Sequence, residues 1–214
     1  MITKKTGLLL TTLIIILLIG SVTVAILLQS DNSRYSVFFV NADDDDSRTF
    51  IAENSDLGYG DEDGEWALLQ LSPSYSFGVR FTNVTIPKHA KITKAHIELF
   101  SVGTPWASHP NCLIYGDNSD NAVNFTVQGV LDRCGRNYTD SSVLWNDSVG
   151  YHKWIRTPSV HAILQEIVNR DDWVEGNPIA FLFITNGLRE FSASFQNFES
   201  GYSSALVVKW ENTL

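Results

Sequence analysis

Two acidic clusters are the first places where this sequence could do chemistry. Asp43, Asp44 and Asp46 belong to a run of four aspartates, and Asp61 and Asp63 lie in a second, glycine-containing acidic stretch. Like charges this close repel each other, so such a run is either solvated or neutralised by a cation. Ca²⁺ prefers carboxylate and carbonyl oxygens supplied by loops. The sequence therefore leaves two interpretations, solvated acidic loops or a calcium site.

The second acidic stretch does not have the spacing of an EF-hand. Asp61, Asp63 and Gly64 fit the middle of such a loop, but Tyr59 and Gln70 then fall at its first and last positions, where acids are required. A turn and a cation loop of another type remain as alternatives.

Three aromatic residues are candidates for binding a sugar ring. Glycan sites on β-sandwiches use exposed aromatic faces for stacking and polar or Ca²⁺-held groups for the hydroxyls. Tyr59, Trp106 and Trp173 lie in or beside predicted loops. The alternative for each is partial burial in the core, which is the commoner place for tryptophan.

Motifs and charge argue against several function classes. The sequence contains neither Gly-x-Ser-x-Gly nor His-Glu-x-x-His, and its five histidines are scattered. A glycosidase needs two carboxylates at a fixed separation, and 24 acidic residues leave such a pair open. The formal net charge of −9 repels phosphate backbones, so nucleic acid is not an expected partner. We expect a protein that is not an enzyme and assign no catalytic residue.

The N-terminal segment predicts a membrane anchor. Residues 1–6 form a short basic head, and residues 7–28 carry no charge. A spanning helix needs about 20 apolar residues, whereas a secretory signal has an apolar core of only about 7–15. We predict a signal anchor with a cytoplasmic N-terminus, because Lys4 and Lys5 precede the span. A cleaved signal peptide, which would make the protein secreted, and a prepilin-like leader cut near Gly7 remain alternatives.

The rest of the chain is predicted to be a stalk, residues 29–35, and an extracellular domain, residues 36–214. Four Asn-x-Ser/Thr sequons fit this address as glycosylation sites, at Asn83, Asn124, Asn137 and Asn146. The two cysteines, Cys112 and Cys134, are expected to form one disulfide. It would close a loop of about 22 residues and contribute roughly 3 kcal/mol. Two separate buried thiols are the alternative.

Short alternating segments dominate the extracellular domain and would position these residues. The run 77–100 holds two β-type segments, with Phe77, Val79 and Phe81 on one face of the first, and a turn at Pro87. Further strands are predicted at 36–40, 66–71, 112–116, 143–145, 153–155, 178–184, 190–196 and 205–210. One helix is predicted from an N-cap at Thr157, with an apolar stripe of Val160, Ile163, Leu164, Ile167 and Val168. This pattern predicts an all-β antiparallel sandwich of the jelly-roll type.

Five segments carry a family resemblance. They are FTNVTIPKHAKITKAHIEL (81–99), LIYGDNSDNAVNFT (113–126), TPSVHAILQEIVNRDDW (157–173), NPIAFLFITNG (177–187) and ALVVKW (205–210). Together they resemble a β-sandwich domain of secreted and cell-surface proteins of bacteria and archaea, similar to DNRLRE-type and family-96 carbohydrate-binding-module-like jelly rolls. The resemblance implies the fold and supplies no ligand set. The GDNSDNA turn is shared, so its Asp117 and Asp120 become candidates for a cation site or a turn motif.

Three hypotheses for function follow. The first is a membrane-anchored surface module that binds a glycan or a neighbouring surface protein in adhesion, with Ca²⁺ as the possible cofactor. The second is a pilin-like subunit of an extracellular filament, assembling through its N-terminal helix or an edge strand. The third is a polysaccharide-degrading enzyme, which requires two acids facing each other in a groove.

Overall fold

The structure is a computed structural model. It describes residues 15–19, 22–26, 33–50, 68–72, 75–102, 110–126, 130, 136–185, 193–196 and 200–212. The chain divides into two units, residues 1–33 and 34–214. In the first unit, β1 (Ile15–Ile19) and β2 (Val22–Ile26) form an antiparallel pair with Ile15 opposite Ile26.

The segment predicted as a transmembrane helix is strand where the structure describes it. Both β1 and β2 lie inside residues 7–28, and they are rich in β-branched side chains, which suit strands. Within the described ranges, no helix is long and apolar enough to cross a bilayer. The membrane anchor therefore stays a prediction.

From residue 33 onward, eleven strands and one α-helix are described. In chain order they are β3 (Ser33–Phe39), β4 (Asp46–Phe50), β5 (Leu68–Leu71), β6 (Tyr75–Phe81), β7 (Lys91–Ser101), β8 (Cys112–Asp117), β9 (Tyr138–Trp145), β10 (Lys153–Arg156), α1 (His161–Val168), β11 (Ile179–Thr185), β12 (Ala193–Gln196) and β13 (Ala205–Glu211). Because β3 begins at Ser33, the last three residues of the predicted stalk belong to a strand.

The strands form two antiparallel sheets. The six-stranded sheet has the order β3-β13-β7-β12-β5, and β10 pairs with β7 beside this path. The five-stranded sheet has the order β4-β6-β11-β8-β9. An antiparallel β architecture with one short helix, as the sequence predicts, is therefore confirmed.

Side chains from both sheets fill one shared core, as in a β-sandwich. Phe77 of β6 stacks on Phe183 of β11, with ring centroids 4.2 Å apart. Phe195, from β12 in the other sheet, contacts Phe77 at 5.6 Å and stacks on Trp145 at 5.6 Å. These rings are almost fully buried, and strict alternation along each strand puts them inward. The two sheets therefore pack against each other through their inward faces.

The helix carries the predicted apolar stripe but begins later than predicted. Ile163, Leu164, Ile167 and Val168 are buried in the shared core. Thr157 is not the N-cap, because its hydroxyl accepts a hydrogen bond from the Ile97 amide at 3.0 Å instead. That contact extends the pairing between the chain after β10 and β7, so the helix starts at His161.

Candidate ligand-binding surface

The aspartate run that holds three predicted metal ligands, Asp43, Asp44 and Asp46, forms a tight turn and the start of a strand. Asp43 to Asp45 form a 3₁₀ turn, and Asp46 opens β4. Asp43 is exposed, whereas Asp46 is buried. The Asp44 carboxylate accepts a hydrogen bond from the Asn124 side chain, and Asp45 forms an ion pair with Arg80. Burial raises the pKa of the Asp45 carboxyl, and Arg80 opposes that shift. Protein groups thus already partner one predicted ligand, Asp44, and its neighbour Asp45.

The acids of the GDNSDNA turn are paired in the same way. Asp117 forms a buried ion pair with Arg136, whose side chain is 0 % exposed. Asp120 forms an ion pair with Arg170, which also donates to the Asn118 side chain. Burial raises the pKa of the Asp117 carboxyl, and the Arg136 guanidinium opposes it. Here the counter-ion of each aspartate is a guanidinium.

These pairs fasten a loop over the outer face of the five-stranded sheet. We call residues 118–137 the covering loop, of which 118–126, 130, 136 and 137 are described. Its Phe125 packs with Leu182 of β11 in a second apolar cluster. Arg136 donates to the carbonyls of Val123 and Asn124, at 2.9 and 3.2 Å, and its guanidinium lies over the Phe125 ring. The acids therefore hold this loop in place.

Metal sites are not visible among the described residues. In that part of the chain, no group of three or more His, Cys, Asp or Glu side chains is placed to hold an ion. Asp61 and Asp63 lie outside the described residues. The calcium prediction is thus untested for the second acidic stretch.

The three predicted stacking residues have different outcomes. Trp173 is only 2 % exposed, and its indole N–H donates to the Ile86 carbonyl at 3.0 Å. This side chain is a core residue and offers no exposed face to a sugar, so the core alternative holds for it. Tyr59 and Trp106 lie outside the described residues.

The structure brings a different set of aromatic residues together on the outer face of the six-stranded sheet. Phe100 of β7 stacks on Tyr202 at 4.2 Å and meets Trp154 of β10 edge-on at 5.6 Å. Trp154 is 49 % exposed and Tyr202 is 39 % exposed. We call these three residues the aromatic platform. His152 and Tyr151, both exposed, continue it at one end.

A cavity opens beside the aromatic platform. It has a volume of about 470 Å³, within the usual range of ligand pockets, and shares Trp154 with the platform. Four charged side chains line it, namely Glu98, Asp147, Lys153 and Arg156. Arg156 Nε donates to Glu98 Oε1 at 3.0 Å, directly beside the paired positions of Trp154 and Phe100. Aromatic faces and hydrogen-bonding groups therefore meet in one accessible place.

Alternation along the strands predicts the outward position of two of the three platform residues, Phe100 and Trp154. Leu99 is buried in β7, so the next residue, Phe100, must point outward, and the same holds for Trp154 beside Ile155. A large aromatic at an outward strand position is the available signal. That the two residues lie opposite each other depends on the pairing of β10 with β7, which no local pattern gives.

Three of the four sequons are accessible. Asn83, Asn137 and Asn146 are exposed, and Asn83 lies in a turn with φ of 53°. Asn124 is half-buried, and its side-chain nitrogen donates to Asp44. A glycan on Asn124 would therefore require that hydrogen bond to break.

The disulfide is not supported by the structure. Cys112 is a free, fully buried thiol within β8, between β9 and β11. Burial raises the pKa of this thiol far above its usual value, so it stays protonated. Cys134 lies outside the described residues.

Two comparisons with known proteins found no match. No protein-family model matches the sequence, and no curated protein matches it.

Proposed function

We propose that residues 36–214 form a glycan-binding module whose site is the aromatic platform and the adjoining cavity. The observation that carries this proposal is the group of contacting rings of Phe100, Trp154 and Tyr202, of which the last two are exposed. The Glu98–Arg156 pair lies beside them. Exposed aromatic rings offer flat apolar faces for sugar rings, and a few placed polar groups fix orientation. A sheet face with this composition suits an oligosaccharide lying along it.

The proposed cellular address is extracellular, with residues 7–28 as the anchor. The uncharged run behind Lys4 and Lys5 supports it, as do the exposed sequons at Asn83, Asn137 and Asn146. Protease digestion of intact cells tests the address. Loss of the 36–214 domain without cell lysis is expected, and full protection of that domain would contradict it.

The glycan site is tested by titrating the full-length chain with soluble polysaccharides in affinity electrophoresis. Trp154→Ala is expected to weaken binding by about 2 kcal/mol or more, roughly 30-fold, as for a central tryptophan in an interface. Tyr35→Ala is the matched control, because Tyr35 is an exposed aromatic of the same sheet on the distant strand β3. Equal binding by wild type and Trp154→Ala would reject the site.

A second candidate, a filament subunit, is favoured by one observation on β3. This strand ends the described order of its sheet, and Tyr35, Val37 and Phe39 on it are exposed. An apolar edge strand can pair with another chain. Electron microscopy of the full-length protein tests this candidate: filaments that Val37→Lys abolishes would support it, and a dispersed protein at all concentrations would reject it.

A further inference from the structure

The charged groups around the proposed glycan site balance each other. Two acids, Glu98 and Asp147, and two bases, Lys153 and Arg156, line the cavity, so these side chains give it no net formal charge. Arg156 is also engaged, because it already forms an ion pair with Glu98. The Glu98 carboxylate already balances its positive charge, so a ligand carboxylate would meet a pair without net charge.

The rest of the chain is unfavourable to an acidic ligand. The protein carries a formal net charge of −9. A polymer with a carboxylate or sulfate on every unit would therefore approach through a repulsive field and meet a site without excess positive charge. A neutral polymer has no such penalty.

The polar groups of the site fit hydroxyls well. The Glu98 carboxylate has two acceptor oxygens, and the Arg156 guanidinium has several donors in one plane. Together they can accept from and donate to the hydroxyls of one sugar while the neighbouring Trp154 ring contacts its apolar face. No net ligand charge is needed for either contact.

We propose that the aromatic platform and its cavity bind an uncharged polysaccharide and discriminate against acidic ones, an inference that rests on the proposed function. The discrimination comes from charge balance at the site together with the negative charge of the whole chain.

The test compares the binding of two sets of polymers to the full-length chain. The neutral set is a glucan, a mannan, a xylan and a galactan, and the acidic set is polygalacturonate and alginate. Each is titrated at about 50 mM and about 500 mM NaCl, where screening lengths differ several-fold. We expect at least one neutral polymer to bind with less than about a twofold effect of salt, and the acidic polymers not to bind at low salt.

The outcomes separate the inference from the function on which it rests. Binding of acidic polymers only, weakened by salt and lost in Trp154→Ala, would keep the glycan site and overturn the inference. No binding of any polymer would overturn both. Glu98→Gln sharpens the test: it removes one acid from the cavity, so we expect roughly tenfold weaker binding of the neutral polymer and new, salt-sensitive binding of polygalacturonate. Unchanged selectivity in this variant would contradict the charge argument.

Discussion

The outer faces of the two sheets differ in their exposure to solvent. The face of the five-stranded sheet is closed by the covering loop, with Phe125 and Val130 packed on it and buried arginine–aspartate pairs around it. The face of the six-stranded sheet leaves Trp154 and Tyr202 exposed to solvent. Each face carries an arginine–acid pair, Arg136–Asp117 in one case and Arg156–Glu98 in the other.

This difference separates residues that hold the fold from residues that are free to bind. A buried pair is costly to break because one charge is then left without a partner. An exposed pair contributes little to stability, so its groups can exchange partners with a ligand at small cost. Acidic residues therefore stabilise the fold on the face of the five-stranded sheet, while aromatic residues form the candidate site on the face of the six-stranded sheet.

The largest expected effect comes from breaking the buried pair. Arg136→Met leaves Asp117 buried without its guanidinium and should cost about 3–5 kcal/mol near neutral pH. Arg156→Met, at a pair whose arginine side chain is 71 % exposed, should cost about 1 kcal/mol or less. Urea unfolding of both variants measures the difference, and equal losses would contradict the comparison.

The pH dependence of the Arg136→Met loss gives a second check on the same pair. Burial already raises the pKa of Asp117 with Arg136 present, and removing the guanidinium raises it further. An acid with a raised pKa in the folded state takes up its proton there first, so folding gains stability as pH falls through that value. The loss in Arg136→Met should therefore shrink from neutral to mildly acidic pH. A loss that stays the same across this pH range would show that Asp117 stays ionised and would contradict the expectation.

A middle-sized effect is expected where the covering loop meets the sheet. A Cβ on Gly78 would lie 2.5 Å from the Phe125 ring, too close for any ordinary contact. Gly78→Ala should therefore destabilise by about 1–3 kcal/mol through overpacking. Phe125→Leu removes the ring, so the double variant should lose less than the sum of the two single losses. Additive losses in urea unfolding would show that the ring does not rest on Gly78.

The sequence predicts the parts of this molecule that depend on neighbours along the chain. Alternation in β6 and β7 and the stripe of Ile163, Leu164 and Ile167 are local patterns, and the structure buries those residues. The arginine partners are not local: they lie 35, 19 and 50 residues from Asp45, Asp117 and Asp120. The aspartate run therefore allows both a solvated loop and a cation site as interpretations, because the tertiary fold alone brings the Arg80 guanidinium to Asp45.

A smaller effect on stability is expected at the open face. Trp154→Ala should lower the free energy of unfolding by about 1 kcal/mol, because the half-exposed ring loses only its contacts with Phe100 and Tyr202. Phe125→Ala, which empties a buried position under the covering loop, should cost about 3–5 kcal/mol. Thermal and urea unfolding of the two variants compare the faces directly. A large loss in Trp154→Ala would mean that the aromatic platform supports the fold and is not held ready for a ligand.

The smallest effect is expected when Ca²⁺ is offered to the paired aspartates. A cation at Asp120 would have to displace the Arg170 guanidinium and give up an ion pair already formed. Any rise in melting temperature caused by Ca²⁺ should therefore be the same in Asp120→Asn as in wild type. Ca²⁺ that binds only the folded state raises its stability by mass action. If the second acidic stretch binds Ca²⁺, the rise in melting temperature should therefore disappear in the variant carrying Asp61→Asn and Asp63→Asn. If the rise in melting temperature caused by Ca²⁺ disappears in Asp120→Asn, this turn is a cation site. The acids on this face would then bind a ligand as well as stabilise the fold, which would contradict the comparison of the two faces.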